Sequence, residues 1–134
     1  DECQTLSADS NSIDTALGGA QTLWLDAGDE YAGNLYLLLG SFSGTSPGLP
    51  VEGYLLPLNY DVYTHLSATS ANSGPFEDTL GFLDDAGRAT ARIVLPPGGA
   101  PALVGVSAHH AYGAFGFFTN DVVMVSNAMP LDLE

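Results

Sequence analysis

Cationic side chains are almost missing from this chain of 134 residues. It contains no lysine and only two arginines, Arg88 and Arg92, against 16 aspartates and glutamates, so the formal net charge is −14. Charged residues make up 13% of the sequence, about half of the usual share, so the acidity reflects missing cations rather than extra carboxylates. Because nucleic acids and anionic membrane surfaces are bound largely through Lys and Arg, we expect neither as a partner.

Long hydrophobic runs and paired cysteines are also lacking. No apolar run reaches the roughly 18 residues of a transmembrane helix, so we expect no membrane insertion. Cys3 is the single cysteine, and an odd cysteine in a secreted chain can crosslink two molecules. Because the sequence starts at Asp1 rather than Met, we expect that a secretory signal peptide has been removed and that the protein is secreted or at the cell surface.

The first 20 residues differ in composition from the rest. They are rich in Ser, Asp, Asn and Thr and end in Gly18–Gly19, which is typical of a flexible leader. The few apolar side chains of this segment could still add a strand to the sheet of a neighbouring molecule. We therefore predict a polar leader at residues 1–20 and one domain at residues 21–134.

Short apolar runs and turn residues alternate from residue 21 onward, at intervals of roughly ten residues. The run NLYLLLG at residues 34–40 is nearly all apolar, as in a strand buried on both faces. Residues 60–66 are ambiguous between a strand and a helical turn, and no window of 11 or more residues has helical periodicity. The pattern predicts an all-β fold, an antiparallel β-sandwich of immunoglobulin-like architecture, with a small β-barrel as the alternative.

The tetrapeptide DDAG, which is typical of a turn, occupies residues 84–87. It predicts a β-hairpin that joins a strand at 79–83 to a strand at 88–95. In the second strand Ala89, Ala91, Ile93 and Leu95 share one face, and the residues between them, with both arginines, share the other.

Acidic residues cluster at two predicted turns. Carboxylates on loops suit Ca²⁺, which takes six to eight oxygen ligands, whereas Asp in a turn often serves only to hydrogen-bond the backbone. Neither stretch has the spacing of a known calcium loop. No other cofactor is predicted, and the candidate calcium ligands are Asp26, Asp29, Glu30, Asp84 and Asp85.

Aromatic side chains provide two further kinds of candidate site. Tyrosines near predicted loops could stack on sugar rings or contact another protein; they are Tyr31, Tyr54, Tyr60 and Tyr63. The uncharged segment AYGAFGFF at residues 111–118 is either a central core strand or an exposed edge that pairs with another subunit. The candidate intermolecular residues are therefore Phe115, Phe117 and Phe118, together with Cys3.

No catalytic constellation stands out. His109 and His110 are adjacent, so on a strand they point to opposite faces and do not easily share a metal ion. The segment GSFSG at residues 40–44 is followed by loop residues rather than by the helix that a nucleophilic serine turn requires. A secreted polysaccharide-active enzyme is the least favoured function, and we assign no catalytic residue.

Several phrases resemble a known family over about residues 21–133. They are LLLGSFSGTSPG at residues 37–48, LPLN at 56–59, GRATA at 87–91, HAY at 110–112 and SN at 126–127. Together they resemble an uncharacterised domain found at the C-terminal end of secreted proteins of planctomycetes and related environmental bacteria. The resemblance implies a secreted β-rich module and carries no catalytic residues.

Two functions follow from these observations as hypotheses. The first is a non-catalytic extracellular structural module that assembles with copies of itself, in one version by strand addition into polymers or filaments. The alternative is a carbohydrate-binding module that anchors to extracellular polysaccharide. The partner is accordingly either the protein itself or a polysaccharide.

Overall fold

Two β-sheets face one another across a core of leucine and aromatic side chains in the computed structural model, which describes residues 5–98, 103–116 and 121–134. The first sheet has the strand order β1-β3-β9-β7. Its strands are β1 (Leu6–Ala8), β3 (Gly19–Asp26), β7 (Phe76–Glu77) and β9 (Arg88–Leu95).

The second sheet has the order β2-β12-β10-β4-β8, and β11 pairs with the C-terminal end of β10. Its strands are β2 (Ser12–Ile13), β4 (Leu35–Ser41), β8 (Leu80–Phe82), β10 (Ser107–Phe115), β11 (Val122–Val125) and β12 (Met129–Leu133). A small hairpin of β5 (Leu49–Val51) and β6 (Tyr54–Leu56) and one helix, α1 (Val62–Thr69), complete the described elements. No helix among the described residues is long and apolar enough to cross a membrane.

The predicted all-β sandwich is confirmed. The order β1-β3-β9-β7 corresponds to the ABED sheet of the immunoglobulin fold, and the strands β12, β10 and β4 correspond to its G, F and C strands. Two short strands occupy the position of the first immunoglobulin strand, one in each sheet. β1 pairs antiparallel with β3 in the first sheet, and β2 pairs parallel with β12 in the second.

Side-chain alternation explains which surface of each strand enters the core. On β3, Leu23 and Leu25 are buried while Trp24 between them is exposed, as a half-buried strand requires. The predicted faces of β9 are confirmed, since Ala91 and Ile93 are buried and the arginines lie outside.

Residues 5–20 have a different place from the predicted leader. Leu6 and Ile13 are buried in the core, and the strands that carry them belong to the two sheets of this same chain. The side chain of Asn127 accepts hydrogen bonds from the backbone N–H groups of Thr5 and Leu6 and donates one to the carbonyl of Leu6. The burial of two apolar side chains therefore outweighs the polar composition of the segment.

The predicted hairpin of residues 79–95 is wrong. β8 pairs with β4 in the second sheet, whereas β9 pairs with β3 and β7 in the first. The turn itself forms, because the Asp84 carboxylate accepts from the backbone N–H groups of Ala86 and Arg88. Its two ends are held by different sheets, however, with Leu83 bonded to Asn34 and Gly87 to Ala27, so the turn crosses the sandwich edge instead of closing a ladder.

Candidate functional site

Asp61 ties the start of α1 to the loop that follows β4. Its carboxylate accepts hydrogen bonds from the backbone N–H of Thr64 at 3.0 Å, the backbone N–H of Phe42 at 2.9 Å and the hydroxyl of Ser43 at 2.6 Å. Burial by itself would raise the pKa of Asp61, but the hydrogen bonds from Ser43, Thr64 and Phe42 outweigh it and lower the pKa to about 2. Asp61 is thus an ionised helix cap that also fixes the loop.

Asn59 holds the same loop from its other side. Its amide accepts from the backbone N–H of Gly48 and donates to the carbonyls of Ser43 and Ser46. The hydroxyl of Ser41 donates to the carbonyl of Asn59 at 2.7 Å. The residues of the GSFSGTSPG phrase therefore position α1 against the second sheet, and the hydroxyls of Ser41 and Ser43 are engaged in that task.

Tyr63 and His110 form a buried polar pair beneath α1. The Tyr63 hydroxyl lies 2.6 Å from Nε2 of His110, and the Tyr63 ring stacks on Phe42 with centroids 4.1 Å apart. Burial lowers the pKa of His110 to about 3 and, with the charge of Asp61, raises the pKa of Tyr63. Both groups are therefore neutral at physiological pH, and Nδ1 of His110 is buried without a hydrogen-bond partner.

The predicted calcium ligands are distributed around two neighbouring turns. Asp26 forms an ion pair with Arg88 at 3.4 Å, and Asp84 is engaged with the backbone of its own turn. Asp29 and Glu30 lie exposed in a short 3-10 turn, and Asp85 is exposed. Within the part of the chain that the structure describes, no group of three or more His, Cys, Asp and Glu side chains could hold a metal ion. Calcium binding at these turns stays a prediction.

The four predicted tyrosines do not form one surface. Tyr63 lies in the cluster beneath α1, and Tyr31 packs at the margin of the core. Tyr54 donates to the carbonyl of Val123, which ties the β5-β6 hairpin to β11. Tyr60 is exposed and its hydroxyl lies 3.1 Å from Nδ1 of His65. Tyr54 and Tyr60 are the most exposed of the four, and Tyr31 is partly buried.

The predicted intermolecular residues have mixed outcomes. Residues 111–115 of the AYGAFGFF segment belong to β10, which has partners on both sides, so the exposed-edge interpretation is wrong for these residues. Phe115 is half-buried at the end of this central strand. Cys3, Phe117 and Phe118 lie outside the described residues.

An apolar patch covers one end of the outer surface of the second sheet. We call it the apolar face, and it consists of Leu35, Leu37, Leu80, Phe82 and Phe115. Leu35 lies between Phe82 and Phe115 in adjacent strands, and Leu37 lies opposite Leu80. Phe82 is 67% exposed and Leu80 is 39% exposed. Contiguous exposed apolar side chains on a soluble domain are typical of interaction sites.

The edge of the sheet beside this patch is blocked at Leu80. Asn72 accepts a hydrogen bond from the backbone N–H of Leu80 at 3.0 Å and donates one to its carbonyl at 2.9 Å. The side-chain amide therefore occupies the backbone groups that a further strand would use, one of the ways in which an edge strand avoids pairing.

A second surface, which was not predicted from the sequence, lies on the outside of the first sheet. Trp24 is 45% exposed and lies between Ser7 and Thr90 of the adjacent strands. A shallow cleft of about 420 Å³ beside it is lined also by Asp26 and Arg88. The alternation of residues 21–26 places the indole on the polar side of the strand, and this pattern could have predicted that Trp24 is exposed.

No protein-family model matches the chain, and no curated protein matches it.

Proposed function

We propose that this domain is a non-catalytic extracellular structural module that associates with further copies of itself through the apolar face. The observation that carries the proposal is the exposure of Phe82 and Leu80 in register with three further apolar side chains. Burial of such side chains is favourable at about 25 cal/mol per Å² of apolar surface.

A second copy can pack against the apolar face without burying a charge, although the overall charge of the two molecules opposes their approach. The five side chains of the apolar face carry no charge, although the chain as a whole has a net charge of −14. Two copies packed face to face can keep their carboxylates at the rim, in water. Added salt should strengthen this contact, because it screens the repulsion between two acidic molecules.

Face packing fits the geometry better than strand addition does. The Asn72 amide occupies the outward backbone groups of Leu80, and the strands β1 and β2 are used within their own chain. Five side chains are fewer than the roughly 20 to 30 residues a side of a standard interface, so we expect reversible, concentration-dependent association rather than a permanent dimer.

The test compares the native mass of three proteins by light scattering after size exclusion. We expect the wild type to associate with rising concentration and salt, and the double variant Leu80→Ser/Phe82→Ser to remain monomeric. The matched control is Leu17→Ser, because Leu17 is 76% exposed and lies in a turn outside the apolar face. A wild type that is monomeric throughout, or a double variant that associates as the wild type does, contradicts the proposal.

The second candidate function is binding of neutral polysaccharide through Trp24. An exposed indole on the outer surface of the first sheet, flanked by the hydroxyl side chains of Ser7 and Thr90, offers a stacking surface and hydrogen-bonding groups for a sugar ring. Arg88 and Arg92 already pair with Asp26 and Glu77, so the surface favours an uncharged glycan over an acidic one.

Retention on insoluble polysaccharides tests this candidate. We expect the wild type to be retained by at least one neutral polysaccharide, and Trp24→Ala to be released from it while Leu80→Ser/Phe82→Ser stays bound. Equal retention of Trp24→Ala and of the wild type would contradict polysaccharide binding through the indole.

A further inference from the structure

A cavity of about 240 Å³ opens between the two sheets beneath α1. Phe76 and Ile93 line it from the first sheet, Ala108 and Leu131 line it from the second, and Tyr63 and Leu66 line it from the helix. Protein interiors rarely leave a void larger than a water molecule. A space of this size between well-paired sheets therefore needs an explanation.

The walls of the cavity are unsuited to water or to a charged ligand. Among its described lining residues, the Tyr63 hydroxyl is the one polar side-chain group, and it is already bonded to His110 at 2.6 Å. A buried water requires two to four polar partners. An apolar cavity of about 150 Å³ is known to stay dry and to bind benzene, so by proportion this one suits roughly ten carbon atoms.

One wall of the cavity is held by ring stacking and by a hydrogen bond. The Tyr63 ring is stacked on Phe42 with an interplanar angle of 1° and is fixed at its other end by His110. Leu66 is about half exposed and lines the cavity from α1, so it stands where the cavity meets solvent. A preformed apolar pocket with an opening is the usual form of a small-molecule site.

We propose that this cavity binds a compact, uncharged hydrophobic group, either a free aromatic or branched hydrocarbon or the end of a neutral aliphatic chain. The site does not depend on self-association, because Ala108 and Leu131 face the interior of the second sheet whereas Leu80 and Phe82 lie on its outer surface.

Titration with butylbenzene and, separately, with decanol tests the proposal and distinguishes the two sources. We expect saturable shifts of the methyl NMR signals of Ile93 and Leu131 and a rise in the unfolding midpoint with ligand concentration. Shifts with butylbenzene indicate a free compact ligand, and shifts with decanol alone indicate a chain end. No shift with either probe up to its solubility limit overturns the proposal.

Two filling variants and one control locate the binding. Ala108→Leu fills the cavity and should weaken binding by at least about tenfold, while Ala108→Val, which adds less volume and disturbs folding less, should weaken it by a smaller factor. Leu80→Ser, on the apolar face, should bind as the wild type does. Binding that survives both filling variants, or that Leu80→Ser abolishes, places the ligand elsewhere and overturns the proposal.

Discussion

The hydroxyl of Tyr63 and Nε2 of His110 lie 2.6 Å apart and join α1 to the central strand β10. This contact requires a residue without a side chain at Gly40, because a Cβ there would collide with the Tyr63 ring and lie 2.8 Å from the His110 ring. The glycine that opens the GSFSGTSPG phrase is therefore explained by packing rather than by chemistry.

Gly40→Ala should destabilise the fold strongly. The new methyl group would overlap two rings that are held by packing and by their mutual hydrogen bond, so we expect a loss of about 2 kcal/mol or more in the free energy of unfolding. Gly113→Ala is the matched control, since it lies in the same sheet and its Cβ would meet nothing closer than 3.7 Å. Urea denaturation of the two variants measures the difference, and equal losses would contradict the packing argument.

The stability of the wild type should fall with acid in a way that depends on His110. Its pKa is about 3 in the folded protein and about 6.5 in the unfolded chain. Below pH 6.5 the unfolded chain therefore binds a proton that the folded protein rejects. The linkage predicts a loss of about 1.4 kcal/mol per pH unit between about pH 6.5 and the folded pKa of about 3.

His110→Gln removes the group that takes up the proton, while the glutamine amide can still form a hydrogen bond with the Tyr63 hydroxyl. Between pH 7.5 and 5.0 we expect the wild type to lose about 2 kcal/mol more stability than this variant does. Denaturation curves at the two pH values provide the comparison. Parallel losses in both proteins would show that His110 does not titrate as its burial implies.

Asp61→Ala should detach the start of α1 and the loop after β4 together. Loss of a helix cap of this kind costs up to about 2 kcal/mol, and the hydrogen bonds from Ser43 and Phe42 are lost with it. Asp85→Ala, at an exposed turn position, should change the free energy of unfolding by less than about 0.5 kcal/mol. Similar stabilities of the two variants would mean that Asp61 is not an anchor.

Removing the Asn72 side chain should open the edge of β8. Asn72 has a φ of 62°, so Asn72→Gly deletes the amide at a backbone conformation that glycine adopts freely. We expect the variant to form β-rich aggregates faster than the wild type, measured by thioflavin fluorescence. Unchanged aggregation would show that another feature protects this edge.

The sequence pattern predicted those parts of the fold that depend on local alternation. The extent of β9 and its inward and outward faces follow from residues 88–95 alone. The partner of β9 does not, because a turn at residues 84–87 is compatible both with a hairpin and with a crossing between sheets. Pairing is decided by long-range burial, which a local turn signal does not contain.

Local sequence signals were also insufficient to predict the helix and the exposed surfaces. Hydrophobic periodicity fails for α1, because its buried positions are Thr64 and Ser67 while Val62 is exposed. The capping box of Asp61 and Thr64 was the signal that the sequence offered. The apolar face could not be read from the leucines of β4, since a strand covered on both sides and one covered on one side have the same composition.

Deleting residues 1–20 would not test the strand-donation version of assembly. Those residues include β1 and β2, whose apolar side chains are part of the core, so the deletion would remove folding and assembly together. Substitutions on the apolar face avoid this difficulty.

The native mass of the wild-type protein, followed over concentration by light scattering in about 0.1 M and about 1 M NaCl, tests the central claim most directly. The Debye length falls from about 10 Å to about 3 Å over this range, so we predict a mass that rises above that of one 13.9 kDa chain with concentration, and more steeply at high salt. A mass of one chain under every condition would contradict self-association through the apolar face.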